Sequence, residues 1–449
     1  MGGRQTRAEI GPVAEGSRLH VLDAMRGFAL CGILLINLPH MGWMMQSDEP
    51  VRGIRDWGAS TGFWWVGQLF VYGTMRGLFS LLFGASMLLF LAKAERGRVS
   101  RSEVHTLMLR RLFWLFMFGV VDMTLLLWPG DILNIYAMAG LVVLPFATAS
   151  RRTLAIAAAI AIAAVSTYMT VHQLPKRETL AQGPVLEAQA ASGQPLSAGQ
   201  QKTLKQWTQW QTRQFATPKE IDAERTARLG GYAGNFRYLA KMSWEWFADW
   251  KDTLKWVLDA VGFMLVGMLL YRVGWLQAEA PMRTYAALML VGYGFGVPLK
   301  AIGALADWRL LTGAGDPQFW QFWLPALTMQ TARLLITLGH VGLFLWCWKA
   351  FRWRLPALQA LGRMAFTGYL LQSILGAFAF SGFGLSLWGK LDLAEIWMAA
   401  AIIWLVEIAF SLAWLSWFSM GPFEWLWRAL TYGKLPKLRR PVPLAEAPA

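Results

Sequence analysis

Two cysteines, five histidines and 15% charged residues leave most common site chemistries short of material in this 449-residue chain. Both cysteines, Cys31 and Cys347, fall inside apolar runs, which excludes a disulfide framework and a cysteine-based metal site. No Gly-rich loop with a following Lys cradles phosphate, no two His stand four apart on a helix, and no nucleophile elbow is present. Coupling to nucleotide hydrolysis and zinc-protease or serine-hydrolase chemistry are therefore unsupported, and no metal is expected. No internal repeat is evident. Alternating strands of about ten residues separated by turns are also missing, so a β-barrel is disfavoured.

What is abundant is apolar surface. Hydrophobic residues make up 56% of the chain, above the roughly half of a soluble domain, and several runs reach the ~20 residues that carry an α-helix across a bilayer. The fold class expected is all-α, a polytopic bundle of about ten transmembrane helices near 19–43, 72–92, 106–127, 131–149, 153–172, 254–273, 284–304, 324–349, 358–380 and 394–418. The polar segment ending at Ser17 is followed by no small-residue cleavage site, so the first apolar run is read as a retained helix rather than a signal peptide.

The net charge of +15 is distributed as short basic clusters between apolar runs, which argues for topology rather than nucleic acid. Placing both termini in the cytoplasm puts about 22 Lys and Arg on the inner side and about six on the short outer segments, as the positive-inside rule requires. This orientation and the inner membrane are the expected location. The expected organisation is an N-terminal membrane half over 1–171, an extracytoplasmic loop over 172–252, and a C-terminal membrane half with a basic tail over 253–449. Within the loop, Trp207, Trp210, Trp244, Trp246 and Trp250 read as interfacial side chains, favouring a lipid-anchored loop over a lid. Residues 59–72, with Phe63, Trp64 and Trp65, read as a surface helix leading into the second span. Gly292, Gly294, Gly296 and Pro298 in the seventh span favour close packing over a kink.

Charged groups at membrane depth cost at least ~2.5 kcal/mol to insert and therefore mark cavities or partners. The first helix carries Asp23 and Arg26, spaced to pair locally, and Asn37 and His40 towards its outer end. The eighth carries Arg333, Thr337 and His340 on one face. That stripe lines either a substrate path or a buried network with Asp122, Asp259 or Glu407 from other helices. Asp131 is placed to cap the fourth span.

Several blocks together resemble a bacterial YeiB-like family of inner-membrane proteins built around a domain of unknown function. They are Leu22-Asp23-Ala24-Met25-Arg26-Gly27-Phe28-Ala29 with Gly32 to Asn37, Phe79 to Ala85, Gly130-Asp131-Ile132-Leu133, Gly362 to Gln372, and Gly421 to Arg428. They span the chain apart from the outer loop. Gly368 stands where that family commonly has Asn. The opening Asp23-x-x-Arg26-Gly27 also resembles the wider superfamily of transmembrane acyltransferases that includes heparan-α-glucosaminide acetyltransferase. Relatives there place a catalytic His or an Asn eleven residues after the Arg; this chain has Asn37, with His40 three residues later.

The resemblance implies transfer of an acyl group from cytoplasmic acyl-CoA to an extracytoplasmic carbohydrate or lipid. It would make His40 a base and Asn37 an oxyanion donor, with Arg18, Asp23, Arg26, Arg110 and Arg363 near the coenzyme. The alternative is a transporter or flippase for a small or amphipathic solute. Membrane lipid is a partner in either case, nucleic acid is not expected, and an oligomer is left open.

Overall fold

The computed structural model describes residues 19–44, 58–96, 100–172, 177–214, 217–312 and 319–439. The helices are α1 (His20–Gly42), α2 (Ala59–Val66), α3 (Thr74–Arg96), α4 (Arg101–Thr124), α5 (Leu133–Val143), α6 (Arg151–His172), α7 (Arg177–Ala191), α8 (Ala198–Gln214), α9 (Pro218–Arg228), α10 (Tyr232–Ala248), α11 (Trp250–Arg272), α12 (Met282–Thr312), α13 (Phe319–Ala350), α14 (Pro356–Arg363), α15 (Ala365–Phe380), α16 (Leu393–Trp417) and α17 (Pro422–Tyr432). Among the described residues there is no named strand, only one isolated bridge between Phe418 and Arg439.

Eight helical stretches are long and apolar enough to cross a membrane, and two shorter apolar ones, Leu133–Thr148 and Ala365–Phe380, complete the ten expected from hydropathy. The protein is an all-α, multi-pass membrane bundle. Lipid offers no hydrogen bonds, so only segments that satisfy their own backbone survive there, and helices do so along their length.

Helix ends gather at two poles. At one, Arg272 donates to Ala147 O and Ala149 O, Lys349 Nζ to Ala280 O, and Trp427 Nε1 to Arg111 O. At the other, Gly389 N donates to Gly42 O and Lys300 Nζ to Tyr72 O. The first pole holds the basic residues that the charge rule assigns to the cytoplasm.

Glycine sets the closest helix approaches, as expected where the hydrophobic effect cannot drive association. A Cβ on Gly362 would lie 1.7 Å from Asp23 O, clamping α14 against α1, and one on Gly267 would lie 1.8 Å from Leu81 O, doing the same for α11 and α3. In α12, Gly292 and Gly296 pack on α13 while Gly294 faces open space, and the helix runs through Pro298 without a break, so packing is their role.

Three expectations need correction. The ninth span is not one helix: it breaks at Met364 between α14 and α15, where Glu424 of α17 accepts from Phe366 N (2.8 Å) and Thr367 N (3.0 Å). A carboxylate from another helix thus satisfies the orphan amides of the new N-terminus. Residues 59–72 are not simply a surface helix, because Trp64 is buried against Trp308 and Leu393. In the outer loop, Trp207 is not an interfacial ring; it packs over Gly183 and donates to Glu187 Oε2 at 2.8 Å, forming the core of an α7–α8 hairpin. Trp244, Trp246 and Trp250 are exposed, as headgroup-depth rings would be. The side chain of Trp210 lies outside the described residues.

α9 and α10 dock onto the bundle. Asn235 donates to Arg228 O (3.1 Å) and accepts from Ser381 Oγ (3.2 Å), while Gly382 N donates to Arg228 O at 2.8 Å. Ser243 Oγ donates to Met123 O at 2.8 Å.

Candidate functional site

The segment between α2 and α3 explains the polar stripe of α13. Residues 67–71 form a π-turn closed by Tyr72 N donating to Gly67 O at 2.8 Å, and Gly73 then takes φ +76°, a conformation that favours glycine. This break leaves Phe70 O and Tyr72 O without a main-chain helical donor, while Gly73 O keeps Gly77 N at 3.0 Å and Thr74 O begins α3; α12 and α13 bring a side-chain donor to all four. His340 Nε2 donates to Phe70 O (2.8 Å), Lys300 Nζ to Tyr72 O (2.5 Å), Arg333 Nη2 to Gly73 O (3.0 Å), and Thr337 Oγ1 to Thr74 O (3.1 Å). A carbonyl only accepts, so His340 carries its proton on Nε2, and its Nδ1 accepts a hydrogen bond from the Tyr293 hydroxyl at 2.8 Å.

Charge in this network is offset in part by Asp259 of α11. Its Oδ1 accepts from Arg333 Nη1 at 2.7 Å and its Oδ2 from Arg76 Nη2 at 2.6 Å. Arg333 also donates to Gln330 Oε1 at 2.7 Å, and Arg76 stacks 4.0 Å above Trp256. Of the two readings of the stripe, this geometry is the buried network. Asp259 is the carboxylate it uses, and Asp122 and Glu407 lie elsewhere. Arg76, Lys300 and Gln330 were not singled out from sequence, although Gln330 stands one turn before Arg333 on the same face.

The block that runs from Gly362 to Gln372 joins two further carboxyl groups across α15. On one side, Gln372 Nε2 donates to Glu407 Oε2 at 3.0 Å, and a Cβ on Gly368 would lie 2.7 Å from Leu30 Cδ2, so leucine fills the space beside that glycine. On the other, the Tyr369 hydroxyl donates to Asp131 Oδ1 and accepts from Ile132 N, both at 3.2 Å. Asp131 Oδ2 accepts from Leu133 N (3.0 Å) and Asn134 N (3.2 Å), so it does cap the start of α5. Asp122 is fully buried, its two carboxyl oxygens without a hydrogen-bond partner in the structure, and Asp131 and Ser373 are its polar neighbours.

α1 is enclosed by α3, α13, α14, α15 and α16, yet Arg26, Asn37 and His40 on it keep partial exposure. Eleven residues are three turns plus about 20°, so Arg26 and Asn37 share one face, about 16 Å apart along the axis, with His40 one turn further. Arg26 donates from Nη1 to Asp23 Oδ1 (2.7 Å) and from Nη2 to Ser86 Oγ (3.0 Å). The local pair expected from spacing is present and reaches α3 as well. Beside it, Arg111 lies 3.7 Å over Trp427, facing inward, whereas Arg110 is exposed. Arg363 donates to Ser419 O at 3.3 Å at the same pole. Arg18 lies outside the described residues.

Comparison with known proteins agrees with this framework. Residues 270–434 match the family model described as "Protein of unknown function (DUF418)". Along nearly its whole length the chain is similar to the uncharacterized protein YeiB of Escherichia coli (strain K12), at 28% identity over 423 residues covering 91% of this chain and 95% of that protein. It is likewise similar to the uncharacterized protein YxaH of Bacillus subtilis (strain 168), at 27% identity over 434 residues covering 94% of this chain and 96% of the relative. A third relative, an uncharacterized 39.9 kDa protein in the amylase 3' region of Bacillus acidopullulyticus, is 25% identical over 429 residues, with 94% and 96% coverage. The chain is a multi-pass membrane protein similar to YeiB along most of its length, and residues 270–434 match a domain of unknown function, DUF418.

Proposed function

We propose that this protein is an inner-membrane acyltransferase that moves an acyl group from cytoplasmic acyl-CoA to an extracytoplasmic carbohydrate or lipid. The observation that carries this reading is that Arg26 at the basic pole and Asn37 and His40 at the other share one side of an enclosed helix and stay partly exposed there. The rise from Arg26 to His40 is 14 residues, about 21 Å, which an extended thioester arm must cover.

In this reading Arg26 and Arg111 receive coenzyme phosphates by charge-assisted bonds. The acceptor hydroxyl attacks the thioester carbon as His40 takes its proton, a step worth about 10²- to 10⁴-fold. Asn37 Nδ2 donates to the oxyanion. Collapse of the tetrahedral intermediate breaks the carbon–sulfur bond, and the imidazolium returns the proton to the leaving thiolate. Envelope carbohydrate or lipid is the acceptor class because the chemistry ends at the outer pole.

The test is acyl-CoA binding and acyl transfer by purified protein in liposomes. Arg26→Ala should weaken acyl-CoA binding and His40→Ala should cut transfer by at least about 10²-fold. Full transfer activity in His40→Ala removes the assigned base, and no acyl-CoA binding by the wild type removes the reading. A transporter or flippase is the second reading, favoured by the helix break at Tyr72 and Gly73, since transporters build sites on broken helices. It requires solute flux in vesicles without an acyl donor.

A further inference from the structure

The turn that joins α4 to α5 folds two carboxylates together and seals them. Trp128 N donates to Asp122 O (3.1 Å) and Asp131 N to Trp128 O (3.2 Å), with Leu127 between them in the left-handed region at φ 64°. The chain thereby doubles back and places Asp131 beside Asp122. Among the described residues no ion pair involves either carboxylate. Tyr369 is the one titratable group that α15 brings to the pair.

Polar atoms around the pair are left over, and they are mostly acceptors. Besides both Asp122 oxygens, Asn134 Oδ1 has no partner, and its residue is 4% exposed. Its amide nitrogen meets Met123 Sδ at 3.4 Å, while its main-chain N donates to Asp131 Oδ2, so Asn134 sits against Asp131 and against the residue that follows Asp122. Trp128 Nε1 is the single orphan donor of the turn. Three unpartnered acceptors and one donor in a site closed to water call for an added positive charge, because a buried carboxylate persists only when compensated. The outer side is closed by α10: Leu239 and Met242 pack on Leu127, and Ser243 bonds Met123 O.

We infer that Asp122, Asp131, Asn134 and Ser373 bind one small monovalent cation, a proton or a sodium ion, beneath the α10 cover. Two carboxylates, one already committed to the amides of α5 and to Tyr369, match a single added charge. Oxygen ligands of carboxylate, amide and hydroxyl type suit a hard alkali cation or a shared proton. A site of this kind ties the packing of α4, α5 and α15 to the ionic conditions of the outer compartment, independently of what happens at α1.

The experiment follows unfolding of the full-length protein in detergent by tryptophan fluorescence. Conditions are pH 6 and pH 8.5, in NaCl or in choline chloride at equal ionic strength. Binding to the folded state raises Tm with the logarithm of ligand concentration. If sodium is the ligand, Tm at pH 8.5 climbs with NaCl and not with choline chloride. If it is the proton, Tm falls from pH 6 to pH 8.5 in either salt. Asp122→Asn, a neutral isostere, abolishes the sodium response or reduces the pH response to the part that Glu424 contributes. Should that variant not fold, Ser373→Ala and Asn134→Ala serve instead and shift the midpoint of the response. A wild-type Tm indifferent to both sodium and pH, or variants that keep the full wild-type response, overturns the assignment.

Discussion

Asp259→Ala provides the sharpest test of how the bundle tolerates charge. In the native protein Asp259 holds Arg333 at 2.7 Å and Arg76 at 2.6 Å, so the triad carries one net positive charge. Removing the carboxylate leaves two guanidiniums in a site where Asp259 and Arg333 are almost completely buried. Breaking a buried pair by deleting one partner costs about 3–5 kcal/mol, because the survivor is stranded. Arg333→Met behaves differently. It leaves Arg76 and Asp259 as a neutral pair and removes the bonds to Gly73 O, which keeps Gly77 N, and to Gln330 Oε1, so one buried acceptor is left unsatisfied at about 1–3 kcal/mol. Asp259→Ala should therefore destabilise more than Arg333→Met by about 2 kcal/mol. The double variant should cost less than the sum of the two, since it returns the net charge to one. Equilibrium unfolding in mixed micelles reads all three. If Arg333→Met proves the costlier change, or if the double variant is additive, the electrostatic account of this cluster is wrong.

Gly73→Ala should lose about 1–2 kcal/mol from its left-handed backbone alone. Its Cβ would sit 2.4 Å from Arg333 Nε, so unfolding measurements should show more than that backbone cost, and an unchanged midpoint would refute the role of the break. At the basic pole, burial raises the Glu424 carboxyl above its ordinary value, against the downward pull of Thr367 and the Phe366 amide. A carboxyl raised in the folded state contributes stability that is complete below about 4.5 and is lost as pH rises through its folded value. Glu424→Gln should flatten that decline in a pH series of unfolding midpoints; an unaltered slope contradicts it. For topology, Arg352→Cys should resist an impermeant maleimide in intact cells while Lys241→Cys reacts, and the reverse pattern inverts the orientation.

The sequence by itself determined the spanning segments, their number and which ends are basic, because hydropathy and the positive-inside bias are local sums over a stretch of chain. The pairing of Asp23 with Arg26 and the capping by Asp131 were legible for the same reason: helical spacing fixes them within a turn or two. Tertiary structure decided the rest. Asp259 meets an arginine from α3 and one from α13, Tyr369 meets the α4–α5 turn, and Glu424 starts α15 from another helix. No period in the sequence encodes such partners. The role of the α13 stripe became visible only with the π-turn at 67–71, since a broken backbone, rather than a side chain, is what His340 and Lys300 serve at Phe70 O and Tyr72 O. In lipid every carbonyl freed from a helix must find a donor, and only the packed bundle shows which residues were spared to supply one.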